Sequence, residues 1–353
     1  MSVSKLIDNA FLLAGVEPAL IDDQKIETAL FHINLILTQW VNDKVLQFNE
    51  IILPVQLVNN VPSYELPIEV YDIYNVSLTQ CYRQRTGVPF STAGGIAINA
   101  FDGNMNTVCA QTQPNGYIGI ILNQPQIVSY VGIASGSTSE YQLLFEGSLD
   151  GNSWIPLYQM DRPQVFSELP TSQKTVWFSL NTPGNYSYYR VSNLGNIPLN
   201  IREFYLQTYV NSRAVDNISR SDYQDLSAKY VSSQVSLYSL VKSNTNIFIN
   251  VYGLPTNVSP NQEQGNSAGN YNFIIARGAK FPYDVRYLKY PLDLQRRFIP
   301  SLFFKLAFVL AMYYKPEKAE SIMGIYSMYF KAATGTDNDK GGIMFQVPQN
   351  TGI

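Results

Sequence analysis

The chain is 353 residues long, enough for two or three domains that each bury a core. Its net charge of −3 does not demand a nucleic-acid partner, and its two cysteines, Cys81 and Cys109, are too few for a disulfide framework. Charged residues make up only 14% and tyrosines number 25, a composition typical of large interfaces and also of β-rich domains.

Two helices are predicted in the first part of the chain. Residues 4–14 place apolar side chains on one face, and Gly15 is suited to end the helix. A second amphipathic helix is predicted over residues 23–41. The only histidine, His32, lies in this helix without a flanking acid or nucleophile motif, so we expect it to be structural.

The hydrophobic period then changes to two. Residues 50–67 alternate and turn at Asn59-Asn60, which predicts a β-hairpin, and residues 71–78 continue as a strand. From about residue 98 to residue 208, short apolar runs are separated by Gly, Asn, Ser and Pro. Such punctuation is typical of a β-sandwich or jelly roll.

Helical character returns over residues 219–242 and is followed by the strand NIFINVYGLP. Two closing helices are predicted, one over about 292–314 and one beginning at Pro316. The stretch 299–314 is the only membrane candidate. It is shorter than the roughly 20 residues that a span needs, and it contains Lys305, so we predict a buried helix.

Three segments of the middle block carry a resemblance to a known fold: AFDGNMNT (100–107), EGSLDGNSW (146–154) and YYRVSNLGNIPLNIREFYL (188–206). In order and spacing they resemble the discoidin, or coagulation-factor type C, fold, which also houses galactose-binding carbohydrate modules. The resemblance implies that residues 87–209 form an all-β jelly-roll sandwich, inserted into a loop of another domain.

That resemblance also implies a structural calcium ion held by the oxygens of Asp102, Asn104 and Thr107, with Glu203 closing the site. The alternative is that Asp and Asn simply form a turn that bonds to its own backbone. An EF-hand is excluded because its sixth position would need glycine, and Thr107 stands there. Cys109 occupies the place where the family commonly has tryptophan.

Carbohydrate binding is a second implication of the resemblance, although the sugar-contacting loops of the family cannot be matched by motif. Tyr117, Tyr130 and Tyr141 are candidates for stacking on a sugar, and strand packing is the alternative for each.

The outer segments resemble the head-to-tail adaptor proteins of short-tailed phages, also called packaged-DNA stabilisation or tail tubular proteins. The resemblance rests on LIDNAFLLAGV, FHINLILTQWVND and VPSYELPIEVYDIYNVSL, then ISRSDYQDLSAKYV, FIPSLFFKLAFVLAMYY and AESIMGIYSMYFKAA. It implies an α+β fold: a helical-bundle adaptor domain with a small antiparallel sheet, built from residues 1–86 and 210–333 and interrupted by the inserted sandwich. Residues 334–353 would form an extended C-terminal arm.

In that family about twelve copies form a ring under the portal protein, and a downstream tail or nozzle protein docks below the ring. The resemblance therefore implies a virion protein at the portal–tail neck, with genomic DNA passing through the channel without sequence-specific binding and with no membrane contact. The arm would contact the portal through four apolar anchors, Ile343, Met344, Phe345 and Val347.

Charge is distributed unevenly along the chain: residues 1–50 have a net charge of −4 and residues 210–353 a net charge of +5. This difference could let copies dock head to tail or on an oppositely charged partner. One basic group stands out, and it either faces an acidic portal surface or lies on a solvated helix face; it comprises Arg286, Lys289, Arg296 and Arg297.

These patterns lead to three candidate functions. The leading expectation is a structural adaptor subunit. The alternative is a carbohydrate-binding protein whose helical parts serve as a scaffold. An enzyme such as a glycan hydrolase is not expected, because the acids are sparse and no motif pairs them. No cofactor is required on this interpretation, and a structural Ca²⁺ in the inserted sandwich is implied by the discoidin resemblance alone.

Overall fold

The structure is a computed structural model, and it describes residues 3–43, 45, 50–67, 69–92, 94–137, 139–160, 162–165, 175–227, 231, 233–243, 246–261, 270–282, 285, 288, 292 and 294–338. The chain divides into two compact units. The helical unit comprises Met1–Asn49 and Phe281–Ile353, and the β unit comprises Glu50–Lys280.

The first two helices and the last begin close to their predicted positions, whereas the helix predicted over about 292–314 begins only at Ile299 and the helix predicted over 219–242 is much shorter. The helices are α1 (Val3–Ala14), α2 (Asp23–Asn42), α3 (Arg220–Asp225), α4 (Ile299–Tyr314) and α5 (Pro316–Asn338), with short 3₁₀ turns at Pro18–Leu20, Ala97–Ala100 and Arg296–Phe298. The carboxylate of Asp22 caps α2 by accepting the backbone N–H of Lys25 at 2.8 Å.

The core of the helical unit forms around α4, which packs against α1, α2 and α5. Leu302, Leu306 and Leu310 are fully buried there. The ring of Trp40, on α2, lies 6.0 Å from that of Phe298 and 5.6 Å from that of Phe330. Helices from both ends of the chain thus share one hydrophobic core.

Among the described residues one helix, Arg296–Tyr314, is long and apolar enough to cross a membrane by length and composition alone. One side of this segment packs into the helical core described above, as the sequence analysis expects for 299–314.

The β unit contains these strands among the described residues: β1 (Glu50–Gln56), β2 (Ser63–Glu65), β3 (Val70–Arg83), β4 (Gly87–Ser91), β5 (Cys109–Ala110), β6 (Tyr117–Ile127), β7 (Tyr130–Ser135), β8 (Glu140–Tyr141), β9 (Leu143–Ser148), β10 (Ile155–Gln159), β11 (Gln164–Val165), β12 (Val176–Ser179), β13 (Asn185–Asn193), β14 (Asn200–Ala214), β15 (Asp216–Asn217), β16 (Leu237–Lys242), β17 (Ile247–Tyr252) and β18 (Phe273–Lys280).

Four sheets arise from these strands. The largest has the order β1-β18-β3-β14-β7-β12, with β5 also paired to β14, and a five-stranded sheet has the order β10-β9-β13-β6-β4. The five-stranded sheet packs on the β14–β7 part of the large sheet, because side chains of both line one core, including Ile120, Phe145, Val191, Ile133 and Phe204. This arrangement is the jelly-roll-like sandwich that the middle block predicts.

The division of the chain differs from the predicted one. The predicted domain boundaries lie at 86/87 and 209/210, whereas the chain divides into its two units at 49/50 and 280/281. The physical reason is strand continuity. β14 pairs with β7 through Leu206 and Gln207 and with β3 through Thr208 and Tyr209, so one unbroken strand spans the predicted second boundary. The sandwich and the outer strands therefore share a sheet instead of forming a separate insert.

Two local predictions were wrong. Residues 50–67 do not form a hairpin, since β1 pairs with β18 and β2 pairs with β17. A helix was predicted over 219–242; among the described residues of that range the helix is limited to α3, and residues 237–242 form β16. There Tyr238 and Leu240 align with Val251 and Ile249 of β17, so cross-strand packing outweighs helical propensity.

Part of the predicted arm lies outside the described residues. α5 continues to Asn338, into the segment that was predicted to be extended. Arg286 and Lys289 of the basic group and all four arm anchors, Ile343, Met344, Phe345 and Val347, lie outside the described residues.

Candidate functional site

The loop that was predicted to bind calcium is built largely from its own hydrogen bonds. One carboxylate oxygen of Asp102 accepts the backbone N–H of Asn104 at 2.8 Å, and the other accepts the hydroxyl of Thr107 at 2.8 Å. The side-chain oxygen of Asn104 accepts the backbone N–H of Asn106 at 3.1 Å. The self-bonded turn that the sequence offered as an alternative is therefore present.

Glu203 lies on β14 and is fully buried beside this loop. Its Oε2 receives a hydrogen bond from Nη2 of Arg83 at 2.6 Å, and both side chains of this ion pair are inaccessible to solvent. Burial raises the pKa of the Glu203 carboxyl, the Arg83 guanidinium opposes the rise, and the neighbouring Asp102 carboxyl adds to it. The fold therefore brings Glu203 to the Asp102 loop, as the resemblance implies.

The oxygen atoms here suit a hard cation. Oε1 of Glu203 is buried and has no hydrogen-bond partner among the described residues. The Asp102 carboxylate beside it is also an acceptor, so it cannot satisfy Oε1 unless a proton or a cation lies between them. Asn104 and Thr107 add oxygens to the same loop: the Thr107 hydroxyl donates to the Asp102 carboxylate at 2.8 Å and lies 2.7 Å from the backbone carbonyl oxygen of Asn104. Among the described residues, no group of three or more His, Cys, Asp or Glu forms a metal cluster.

A second candidate site lies on the outer face of the five-stranded sheet, opposite the sandwich core. Residues alternate along these strands, so that Phe145 and Val191 point into the core while Glu146 and Arg190 point outward. Register places Arg190 opposite Glu146 on one side and Gly119 on the other, and Gly119 opposite Phe90. We call this cluster the Arg190 patch; it comprises Phe90, Tyr117, Glu146, Trp154, Tyr188 and Arg190.

Arg190 is the centre of this patch. Its guanidinium carbon lies 3.8 Å from the ring centroid of Trp154 and 4.8 Å from that of Tyr117. Its Nε donates to Oε2 of Glu146 at 2.6 Å. No described residue accepts a hydrogen bond from its two terminal nitrogens, and 19% of the side chain is exposed. The guanidinium is therefore held by aromatic walls with its fork available to a ligand.

Aromatic rings surround this arginine in mutually inclined orientations. The ring of Phe90 lies 5.8 Å from that of Tyr117, at 73°, and 6.4 Å from that of Trp154. Trp154 meets Tyr188 edge to face at 6.5 Å. A Cβ atom on Gly119 would come within 2.5 Å of Phe90, so glycine is needed there for the Phe90 ring to lie across the sheet. All four rings are half-buried.

A turn between β9 and β10 positions Trp154. Oδ1 of Asp150 accepts the backbone N–H groups of Asn152 at 2.9 Å and Ser153 at 2.8 Å. These bonds hold the pKa of Asp150 down at about 2. Gly151 adopts a φ of 76°, and its carbonyl accepts the indole N–H of Trp154 at 3.1 Å. The indole is thus oriented by its own turn before any ligand arrives.

The three tyrosines proposed for sugar stacking have different environments. Tyr117 belongs to the Arg190 patch. Tyr130 stacks on Phe273 with ring centroids 6.5 Å apart, and Tyr141 is completely buried in the sandwich core. Only Tyr117 therefore lies where a ligand could reach it together with other aromatic rings. Arg190 and Trp154 were not singled out from the sequence, although both fall in segments that carry the discoidin resemblance.

The β unit thus contains a jelly-roll-like β-sandwich that carries an aromatic patch on its five-stranded sheet. No protein-family model matches the chain, and no curated protein matches it. The solved structures that match include carbohydrate-binding modules. A chitosan-binding module from a chitosanase/glucanase of Paenibacillus sp. IK-5 is 18% identical, covers 35% of this chain and 98% of its own, and has a TM-score of 0.28.

Two further structures give the same picture. A family 32 module of Clostridium perfringens, solved with GalNAc-β-1,3-galactose, is 13% identical, covers 36% of this chain and 99% of its own, and has a TM-score of 0.30. The family 32 module of AlyQ, solved with 4,5-unsaturated mannuronic acid, is 21% identical, covers 35% of this chain and 96% of its own, and has a TM-score of 0.30. At TM-scores of 0.28 to 0.30 these likenesses carry no inference about this chain's fold or ligands.

Proposed function

We propose that the β unit is a carbohydrate-binding module and that sugars bind at the Arg190 patch. The observation that carries the proposal is the grouping of four half-buried aromatic rings around an arginine whose fork has no acceptor among the described residues. Aromatic faces receive the apolar side of a pyranose ring, and a few fixed polar groups beside them provide specificity.

Rigidity supports the proposal. Trp154 is held by its indole bond to Gly151 and by contacts with Arg190 and Tyr188, so little side-chain freedom remains to be lost on binding. The patch also lies on paired strands of a sheet and not on a free loop, which favours accurate positioning of a ligand.

A glycan array with the full chain tests this proposal. Wild-type protein is expected to bind at least one class of sugar, and Trp154→Ala is expected to lose at least tenfold in affinity because the main stacking surface is removed. Tyr209→Ala is the matched control, because Tyr209 is an exposed aromatic residue on β14 outside the patch. Equal binding by wild type and Trp154→Ala would exclude the patch as the sugar site.

A second candidate function is the head-to-tail adaptor subunit, and the surface of the helical unit favours it. Phe31 is 63% exposed, Tyr313 65% and Met328 60%, and other exposed apolar residues of the unit include Leu12, Leu35 and Met312. The rings of Phe31 and Tyr313 both contact His32, so they share one surface of α2 and α4. Large exposed apolar side chains on adjacent helices are typical of protein interfaces.

On this proposal the surface binds a neighbouring copy in a ring or the portal protein, and the sandwich decorates the ring. Mixing purified protein with portal and measuring mass by light scattering tests it. A stable assembly is expected, and Phe31→Ser with Tyr313→Ser should weaken it, whereas Val88→Ser, exposed on the β unit, should not. If no assembly forms at any salt concentration, the adaptor proposal fails.

We also propose that Asp102, Asn104, Thr107 and Glu203 hold a structural Ca²⁺, which would supply positive charge between the two carboxylates. The support is the buried Oε1 of Glu203 next to the Asp102 carboxylate. Thermal unfolding in calcium and in chelator tests this. Stabilisation should approach about 2.7 kcal/mol at a hundredfold excess over Kd and vanish in Asp102→Ala. An unchanged melting temperature in millimolar calcium would refute it.

A further inference from the structure

We infer that the Arg190 patch selects sugars that carry a carboxylate, such as uronic or sialic acids. This inference rests on the proposed carbohydrate-binding function and specifies its ligand class. The observation behind it is that the nitrogens of the Arg190 side chain differ in their hydrogen-bond partners. Nε of Arg190 is committed to Glu146, whereas its two terminal nitrogens have no acceptor among the described residues.

The geometry favours a carboxylate over a neutral hydroxyl. A guanidinium fork donates two parallel hydrogen bonds to the two oxygens of a carboxylate, and such charge-assisted pairs are about twice as strong as neutral hydrogen bonds. The rings of Trp154 and Tyr117 flank the guanidinium and restrict it. The same rings offer surface to the pyranose that bears the carboxylate.

Glu146 gives the patch a built-in limit on affinity. Its side chain is only 10% exposed, and its carboxylate neutralises much of the charge on Arg190. An incoming carboxylate must therefore share the guanidinium with a fixed negative charge beside it. We expect Glu146→Gln to bind acidic sugars more tightly, since the amide oxygen can still accept from Nε without carrying charge.

Isothermal titration calorimetry with the full chain tests the inference. The probes are an oligogalacturonate, a sialylated trisaccharide and their uncharged counterparts, which separates the two sources of carboxylate from each other and from neutral sugars. Arg190→Gln should weaken binding of the acidic probe by about 10- to 100-fold and weaken binding of a neutral probe by a much smaller factor. Glu146→Gln should strengthen acidic binding several-fold, and this gain does not depend on whether Arg190→Gln folds well.

The outcomes separate this inference from the proposal beneath it. If neutral sugars bind through Trp154 but acidic ones show no advantage and no dependence on Arg190, the carboxylate inference is wrong and the carbohydrate-binding proposal stands. If no sugar binds, both fail. If Glu146→Gln weakens acidic binding, the assigned role of Glu146 as a competing negative charge is wrong, and its positioning of Arg190 through Nε outweighs its charge.

Discussion

Replacing either partner of the Arg83–Glu203 ion pair should strongly destabilise the β unit, and the two replacements should respond differently to pH. Both side chains are fully buried and lie 2.6 Å apart, so in buffer with a calcium chelator each single change leaves the remaining charge in the interior without its partner. Such a change typically costs about 3–5 kcal/mol. Arg83 also contacts Asn261 and lies 4.3 Å from the ring of Tyr205, so its loss removes packing as well.

The two variants differ in their pH dependence because only Glu203 can become neutral, by taking up a proton. In Glu203→Met the arginine stays protonated at every accessible pH, so the full loss should persist from neutral to mildly acidic conditions. In Arg83→Met the remaining Glu203 can take up a proton, and its pKa is already raised in the native protein by burial. A raised carboxyl pKa disfavours the fold as pH rises through it, so the cost of Arg83→Met should shrink as pH falls towards that value.

Urea denaturation of the full chain provides the measurement. Trp177 lies 5.3 Å from Tyr205, and a background of Trp40→Phe and Trp154→Phe leaves it as the only tryptophan of three. The free energy of unfolding follows from the transition midpoint and slope. It should be higher for the double variant Arg83→Met, Glu203→Met than for either single variant. If either single variant loses less than about 1 kcal/mol of unfolding free energy, the ion pair is not essential to the β unit. If the loss in Arg83→Met does not depend on pH, Glu203 does not take up a proton as expected.

Two further predictions concern the turn that carries Trp154. Gly151→Ala should lose about 1–2 kcal/mol, because φ is 76° and the new Cβ would lie 3.0 Å from Tyr188. Gly324→Ala, with open space around it on α5, is the control and should be neutral or stabilising; equal losses in urea denaturation would contradict this. Because the pKa of Asp150 is lowered to about 2, its stabilisation is complete above about pH 4 and lost as pH falls through 2. Asp150→Asn should therefore show a shallower loss of melting temperature across that range, and identical slopes would contradict it.

Local patterns predicted the regular elements well when packing and periodicity agree. α1, α2, α4 and α5 each have an apolar face at helical spacing, and the short strands of the sandwich have clear turn residues between them. Residues 237–242 were misassigned because their apolar spacing fits either period over so short a run. Pairing with β17, a non-local contact, decides for strand.

Long-range continuity was beyond the reach of the sequence. Nothing in residues 200–214 signals that a single strand would pair with β7 at one end and β3 at the other. The predicted insert boundaries therefore fell inside a strand. A resemblance to a known fold gives the order of the matching segments along the chain. Only the sheet register shows which strands continue from one part of a sheet into the next.

The candidate sites show the same division. The Asp102 turn was predictable because its hydrogen bonds are local, and Glu203 was placed by resemblance. The Arg190 patch was not found, because its members come from four strands and one turn. Arg190 meets Glu146 and Gly119 only through the register of β13 with β9 and β6. Unusual aromatic content on alternate positions of neighbouring strands is the one signal that could have pointed to it.

A fluorescence titration of Trp154 with the sugar that binds best on the array tests most directly whether sugars bind at the Arg190 patch. In a variant with Trp40→Phe and Trp177→Phe, Trp154 is the only reporter, and it lies 3.8 Å from the Arg190 guanidinium. We expect a saturable change in the emission of Trp154, with the same Kd that calorimetry gives. If calorimetry detects sugar binding but the emission of Trp154 does not change, the sugar binds elsewhere and the Arg190 patch is not the sugar site.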